Sequence, residues 1–250
     1  MSWLIFIFQQ NNDNLGRIIM NYDEAIRKPF TDFGKLAIGI ILGLIPVINW
    51  IAQGFILECS GVGKYKYSKK MPEWKDAWYY FVKGLASYII AFAYAIPAII
   101  VFAVTAVYAA GSLASLGITM PSWGSAPSVI PGEVFRAWIT QNWVQVMSIF
   151  LTTAPMIVLG VALLVAGLYF YPVGVLNYLK TKNFGKAFDL NAVKNTSMSG
   201  RYFWAWIVSG LIAIAVGAVA SVIPVIGSAV AFFISGVIAW DLYGQAFGKK

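Results

Sequence analysis

Long parts of this chain carry no charge, and this feature constrains its fold more than any other. A helix that crosses a bilayer needs roughly 20 consecutive apolar residues, and three of the uncharged stretches are far longer than that. With 60% hydrophobic and 11% charged residues, the sequence indicates an integral membrane protein. The stretches lie between Lys83 and Glu133, between Arg136 and Lys180, between Arg201 and Asp241 and, more briefly, between Lys35 and Glu58.

The apolar runs are continuous, as in residues 91–107 and 206–230. A membrane β-barrel would instead show short segments in which apolar and polar residues alternate. A helix satisfies its own backbone hydrogen bonds, which the hydrocarbon interior requires. The sequence therefore predicts an all-α, polytopic helical protein surrounded by the lipid bilayer.

The basic residues concentrate in residues 17–35, 64–83, 180–201 and 249–250, and only Arg136 lies elsewhere. Lys and Arg are enriched in cytoplasmic loops of membrane proteins. The pattern therefore predicts both termini to be cytoplasmic at the cell membrane, with residues 111–143 external. Because the net charge of +8 follows this topology, we expect attraction to anionic lipids and no nucleic-acid partner.

These charge borders predict about six helices arranged as three hairpins, with interfacial helices at residues 21–30 and 183–199. A five-span alternative would leave basic residues of the N-terminal segment on the external side. The remaining predicted elements are a span over residues 84–110, an interfacial helix at 134–143, one span over 145–170 kinked at Pro155, and a last hairpin of 202–222 and 226–240.

Residues 35–58 allow two interpretations. They can form one span kinked at Pro46, or two short helices that meet at residues 45–48. Both ends are basic, which favours the hairpin, and the sequence GLIPVINWIA at 43–52 resembles SVIPVIGSAV at 221–230. We expect a hairpin and a weak internal repeat.

Histidine is absent and Cys59 is the single cysteine. The commonest general base and the commonest metal ligand are therefore missing, and one cysteine forms neither an internal disulfide nor a cysteine-based metal cluster. No phosphate-binding loop, zinc motif or nucleophile elbow stands out. We expect no cofactor, no metal and no catalytic activity.

The first candidate site is Pro72-Glu73-Trp74. Pro and Glu favour the first turn of a helix, and a Trp at that position can anchor the helix among lipid headgroups. The alternative role is a docking surface for a partner protein, because exposed Trp is favoured at binding hot spots.

A second candidate interface is Phe188-Asp189. The Asp189 carboxylate can cap the turn that follows it, or it can pair with Lys186 or Lys194. A membrane-bound enzyme would need Asp189 to converge with Glu73 and Asp76 at one face.

Polar residues inside the apolar stretches are few. Asn49 and Gln53 are four residues apart and so share one helix face, where they can line a polar cavity or hydrogen-bond to a neighbouring helix. Glu58, Lys83 and Asp241 are placed at the ends of spans, where a long side chain reaches the headgroups. Small residues such as Gly160, Gly210 and Gly217 predict close helix packing.

Five motifs resemble those of the largely archaeal DUF4013 family, a domain of unknown function. That family carries a Leu-Pro-Glu-Trp-like motif and, before the last hairpin, an Ala-Phe-Asp motif; here Met71 stands in place of the Leu. The resemblance implies a multi-helix membrane protein and no established activity. The motifs are NYDEAIRKPF at residues 21–30, GFILEC at 54–59, MPEWKDAWYYFVKG at 71–84, YPVGVLNY at 171–178 and GKAFDLNAV at 185–193.

The resemblance begins at Asn21, so residues 1–19 are interpreted as a non-family N-terminal extension and residues 20–250 as a single helical membrane domain. We expect Met20 to be the natural start.

The sequence favours a non-catalytic accessory or scaffold subunit of a membrane complex, with other membrane proteins as partners. The alternative is a transporter or channel for a small or lipid-like substrate, which the proline-broken helices and the hairpin repeat would support.

Overall fold

The structure is a computed structural model that describes residues 20–66, 68–115 and 132–248. Within these residues the chain is helical and contains no strand, which confirms the all-α prediction. The described residues form eight α-helices: α1 (Tyr22–Arg27), α2 (Phe33–Leu44), α3 (Asn49–Glu58), α4 (Ala77–Ser115), α5 (Gly132–Thr181), α6 (Leu190–Ser197), α7 (Gly200–Ala220) and α8 (Ile226–Gly248).

Short polar helices precede the two hairpins that share the IPV sequence. A 3-10 turn at Lys28–Thr31 follows α1, and a second at Phe184–Phe188 precedes α6. Both interfacial segments predicted from the sequence are therefore helical. Helices α1 and α6 each begin at a side-chain cap, because Asn21 accepts a hydrogen bond from the Glu24 N–H and Asp189 accepts one from the Ala192 N–H.

The interpretation of residues 35–58 as a hairpin is confirmed, since α2 and α3 meet at the predicted turn. The two helices have 12 and 10 residues, which at 1.5 Å per residue gives about 18 and 15 Å. Neither is long enough to cross the hydrocarbon core of about 30 Å. The three predicted hairpins are therefore present, but only four of their six helices are candidate membrane spans among the described residues.

Those four spans are α4, the part of α5 from Ile139 to Thr181, α7 and α8. The separate interfacial helix predicted at residues 134–143 is wrong, because α5 runs through it without a break over 50 residues. The favoured single helix for residues 138–179 is confirmed. The last hairpin is also confirmed, with its turn at Pro224.

The two hairpin turns share an unusual backbone conformation. Val47 and Val225 each follow the proline of an Ile-Pro-Val sequence and have φ angles of 69° and 65°. A β-branched residue in this left-handed region is a rare outlier. The repeat suspected from two ten-residue segments that share the sequence Ile-Pro-Val-Ile is therefore matched by backbone geometry at its centre.

The described chain divides into two compact units. One comprises the residues up to Ala91 together with those from Tyr169 onwards, and the other is Phe92–Leu168. In the second unit, Gly160 lies against the Phe102 ring and Gly167 against the Tyr94 carbonyl. The predicted packing role is confirmed for Gly160.

In the first unit α2, α3 and α7 all pack against α8. Gly39 makes room for the Phe233 ring, and Gly236 lies against Ile56. By contrast, a Cβ atom on Gly210 or Gly217 would have no neighbour within 4 Å among the described residues. The packing role predicted for those two glycines is wrong, since they lie on an open face of α7.

Candidate functional site

Lys28 and Asp241 form an ion pair buried inside the first unit, where they are 1% and 0% exposed. The Lys28 Nζ atom donates to Asp241 Oδ1 at 2.5 Å and to the Cys59 carbonyl oxygen at 2.7 Å. Lys28 begins the 3-10 turn after α1, Cys59 is the C-cap residue that follows α3, and Asp241 belongs to α8. One ammonium group therefore joins three elements.

The second oxygen of Asp241 is also occupied. Gln245, one turn further along α8, donates from Nε2 to Asp241 Oδ2 at 2.7 Å. Its Oε1 atom accepts the backbone N–H of Asn21 at 2.8 Å. Since Asn21 caps α1, both ends of this short helix are held by α8.

Glu58 is a further buried charge, with 2% of its surface exposed. It accepts the Tyr79 hydroxyl at 2.6 Å and the Tyr65 backbone N–H at 2.9 Å. Lys83, 8% exposed, has its ammonium nitrogen 4.2 Å from the centre of the Tyr178 ring and 5.6 Å from that of Tyr79. Such cation–π contacts are worth most when the cation is desolvated. Tyr79 thus lies between a buried anion and a buried cation.

We refer to Lys28, Glu58, Lys83, Asp241 and Gln245 as the polar base. The prediction that Glu58, Lys83 and Asp241 reach the lipid headgroups from span ends is wrong, because all three side chains are buried. Glu58 does end α3, whereas Lys83 and Asp241 lie inside α4 and α8. Removing a charge from water costs several kcal/mol, and each of these charges is offset by a side chain or main-chain group from another element. Helix α8 continues seven residues past Asp241, to Gly248.

Cys59 lies beside the polar base and is 1% exposed. Burial, the largest effect, raises the pKa of its thiol to about 12. The thiolate is the form that reacts and binds metals, so the folded protein holds this thiol in its inert, neutral form.

The Pro72-Glu73-Trp74 motif precedes α4 and does not start it. Helix α4 begins at Ala77, and Asp76 accepts the Tyr79 N–H at 3.1 Å as its cap. The predicted helix start at Pro72 is therefore wrong. The carboxylate–backbone bond and the neighbouring Lys64 lower the pKa of Asp76.

Trp74 is half-buried and packs inward. Its ring stacks on Phe55 with 3.8 Å between centroids, and its Nε1 atom donates to the Lys35 carbonyl at 3.4 Å. Tyr80, fully buried, donates its hydroxyl to the Glu73 carbonyl at 2.6 Å. The motif is thus a loop fixed to the core by Trp74 and Tyr80, and the headgroup-anchor role of Trp74 stays a prediction.

Glu73 remains exposed and pairs with Lys35, whose Nζ atom lies 2.7 Å from Glu73 Oε1. Phe188 is 38% exposed and contacts the Phe184 ring. Of the five candidate interface residues, Glu73 and Phe188 are the ones most accessible to a partner. A partner role for all five stays a prediction.

Asp189 performs the structural task expected of it. It accepts the Ala192 N–H at 3.2 Å and pairs with Lys186 at 3.0 Å. Both contacts lower the pKa of its carboxyl group, with Lys186 as the larger cause.

The two intramembrane candidates differ in their surroundings. Gln53 is buried, and its side chain lies near the hydroxyl of Tyr171 on α5, which favours a polar contact between helices over an open cavity. Asn49 begins α3, and its buried Oδ1 atom has no hydrogen-bond partner within the described part of the chain. Such an orphaned atom is uncommon in folded proteins.

The family model described as a protein of unknown function, DUF4013, matches residues 37–225. This match covers more than half of the chain. The chain belongs to the DUF4013 family. No curated protein matches the sequence, and no solved structure matches it.

The DUF4013 match includes both candidate motifs and extends from within α2 to the turn before α8. Lys28 and Asp241 both lie outside the matched residues. The ion pair at the centre of the polar base is therefore a property of this chain that the family match does not describe.

Sequence reasoning missed this pair, although one signal was present. Asp241 is the single charge between residues 202 and 248, and a lone charge in an apolar helix is a functional or structural marker by default. Lys28 gave no signal, because it lies in a segment that contains several other charges.

Proposed function

We propose that this DUF4013 protein is a non-catalytic integral membrane protein that acts as an accessory or scaffold subunit of a membrane complex. The observation that carries the proposal is the polar base, where Lys28 and Asp241 form hydrogen bonds with groups inside the described part of the protein. General acid–base catalysis needs a group that can reach a substrate proton. Here the ammonium group and both carboxylate oxygens hold α1, α3 and α8 together.

The three carboxylates that an enzyme would use also have structural tasks. Glu73 pairs with Lys35, whereas Asp76 and Asp189 cap helices. Asp76 also pairs with Lys64 at 3.1 Å. This arrangement favours the role of a rigid platform and argues against a reactive centre.

A platform needs a surface for partners, and large apolar side chains are exposed in the polar segments near the predicted cytoplasmic face. Leu190 is 79% exposed, Met198 72% and Trp78 74%. Together with Phe188, Leu190 and Met198 lie on or beside α6, whose other face buries Val193. Apolar and aromatic residues of this type supply much of the energy at protein interfaces.

The test is purification of the tagged protein from its native membrane in mild detergent, followed by mass spectrometry. We expect one or more proteins in stoichiometric amount, lost when Phe188 and Leu190 are both replaced by Ala. Val219→Ala is the matched control, because Val219 is 77% exposed on α7, outside the α6 segment. Wild-type protein that elutes without any stoichiometric partner would contradict the proposal.

A second candidate, transport of a small or lipid-like substrate, is favoured by two observations. Charges buried within membrane segments often mark ion or substrate pathways, and the Asn49 Oδ1 atom lacks a partner among the described residues. Reconstitution of the purified protein alone tests this candidate. Solute flux through the wild-type protein alone would favour transport over the scaffold role.

A further inference from the structure

A small cavity opens beside the polar base, in the first unit. Its volume is about 200 Å³, below the range of about 300–1,000 Å³ of pockets that hold drug-sized ligands. It therefore has room for a small polar group. Buried residues at its inner end include Lys28, Glu58 and Cys59, and exposed residues at its mouth include Lys66, Ser68 and Lys70.

Two of the charges that line this cavity are neutralised by direct ion pairs. Lys28 pairs with Asp241 at 2.5 Å, and Glu73, which also lines the cavity, pairs with Lys35 at 2.7 Å. These pairs leave little net charge at their positions.

Three charged residues then remain. The Glu58 carboxylate is turned to its own donors, the Tyr79 hydroxyl and the Tyr65 N–H. Lys66 and Lys70 form no ion pair with any carboxylate in the described residues. The mouth of the cavity thus has an excess of positive charge.

The surrounding segment strengthens this excess. Residues 64–76 contain five lysines and two carboxylates, and the two carboxylates, Glu73 and Asp76, are paired with Lys35 and Lys64. An anion that enters the mouth therefore meets unpaired ammonium groups and the Ser68 hydroxyl. Lysine ammonium groups bind phosphate as point charges, and a serine hydroxyl can donate a hydrogen bond.

The cavity also adjoins a segment with exposed apolar side chains. On either side of Lys28, the apolar residues Ile26, Phe30 and Phe33 are 45%, 46% and 72% exposed. Exposed apolar side chains beside basic ones are typical of segments that lie in the membrane interface. A segment in that position would bring the cavity mouth close to lipid phosphates.

We propose that this cavity is a binding site for a phosphate group, held by Lys66, Lys70 and Ser68. The group can belong to an anionic lipid headgroup or to a soluble phosphate ester. The site is independent of the scaffold role, because it needs no protein partner.

The test uses the purified, full-length protein in detergent and native mass spectrometry. Phosphatidylglycerol is titrated in one arm and glycerol 1-phosphate in the other, with wild type compared to the double variant Lys66→Gln, Lys70→Gln. The matched control is Lys69→Gln, Lys75→Gln, which removes the same charge from the same segment at positions that do not line the cavity.

A direct charge-assisted contact with phosphate is strong enough that losing two of them should weaken affinity by about tenfold or more. We therefore expect the Lys66, Lys70 variant to weaken phosphatidylglycerol binding about tenfold, while the control, whose lysines do not line the cavity, stays within about twofold of wild type. Loss in the glycerol 1-phosphate arm only would assign the site to a soluble phosphate ester.

Equal weakening in both double variants would overturn the proposal, because it would show attraction by the segment's charge without a defined site. Unchanged binding in all variants would overturn it as well. A thermal melt of each variant shows that a lost signal does not come from unfolding.

Discussion

Breaking the ion pair between Lys28 and Asp241 should strongly lower the free energy of unfolding of this protein. Each is buried, and each satisfies the other together with groups from α3 and α8. Removing one member of a buried pair leaves a desolvated charge, which typically costs about 3–5 kcal/mol. Replacing both by apolar side chains of similar size is often close to neutral.

We therefore expect Asp241→Asn to lower the free energy of unfolding by about 3 kcal/mol, and the double variant Lys28→Met, Asp241→Leu to lose less than the two single variants combined. Denaturation of the purified protein in mixed detergent measures this. Lys64→Gln, which breaks the exposed pair with Asp76, is the control and should leave the midpoint unchanged. An Asp241→Asn midpoint similar to that of the wild-type protein would show that the ion pair does not stabilise the polar base.

The two turn valines should respond in the opposite direction. Val47 and Val225 occupy the left-handed region with exposed side chains, at 54% and 76% exposure. Glycine adopts this conformation without steric cost, whereas an L-residue there costs roughly 1–2 kcal/mol. We expect Val47→Gly and Val225→Gly each to stabilise the protein by about 1 kcal/mol.

Val222→Gly is the control for this prediction. Val222 is 80% exposed in the same turn region as Val225, but it is not among the residues with positive φ. Glycine there should be neutral or destabilising, because it only adds freedom to the unfolded chain. Thermal melts in detergent compare the three variants, and destabilisation by Val47→Gly and Val225→Gly would contradict the assigned backbone conformation.

At the scale of elements, α3 and α4 approach so closely that their backbones touch. A Cβ atom on Gly54 would lie 1.8 Å from the Tyr80 carbonyl oxygen, and one on Gly84 would lie 1.8 Å from that of Trp50. Since both obstacles are main-chain atoms, neither can turn aside as a side chain would. This contact positions Glu58 on α3 beside Tyr79 on α4.

Gly54→Ala and Gly84→Ala should therefore separate the two helices. Overpacking of this kind typically costs about 1–3 kcal/mol or more, and we expect a clear fall in melting temperature for both variants. Gly217→Ala is the matched control, because a Cβ atom there meets nothing within 4 Å. In that control, Ala should be tolerated or even favoured, since it is the better helix former.

The pairing of elements was also the step that local sequence rules could not supply. Helices α2 and α3 were expected as a hairpin because of their basic ends and the Ile-Pro-Val repeat. The start of α4 was misplaced, because Pro72 and Glu73 fit a first helical turn equally well on local grounds. Stacking of Trp74 on Phe55 and the Tyr80 bond to Glu73 hold that segment as a loop.

At the scale of the whole molecule, the charge pattern makes a prediction about sidedness. The basic segments that contain Lys75 and Lys194 should face the cytoplasm, and the region that contains Gly111 and Arg136 should face outwards. Cys59 is buried and its thiol has a pKa of about 12. It therefore gives little background in a thiol-labelling experiment.

We expect a membrane-impermeant maleimide to label Gly111→Cys and Arg136→Cys in intact cells. Lys75→Cys and Lys194→Cys should react only after the membrane is opened. Labelling of all four in intact cells, or the reverse pattern, would contradict the predicted topology. The unsubstituted protein, which carries Cys59 alone, is the control.

Membrane residence, the helical class and the position of the last tight turn were determined by the sequence itself, and the sequence favoured the first turn over a kinked span. These properties depend on the residues of one continuous segment, because an apolar run of sufficient length must be a helix in lipid, and proline limits the backbone around it. The long uncharged stretches made the assignment of such segments unambiguous.

Only the tertiary structure decided what the charges at the borders of those stretches do. Lys28 and Asp241 are separated by 213 positions, and no local property of either segment indicates the other as its partner. A charge beside an apolar run can reach the headgroups or turn inward to a partner. The packing of α1, α3 and α8 selects the inward arrangement, because it brings the two charges and the Cys59 carbonyl to one point.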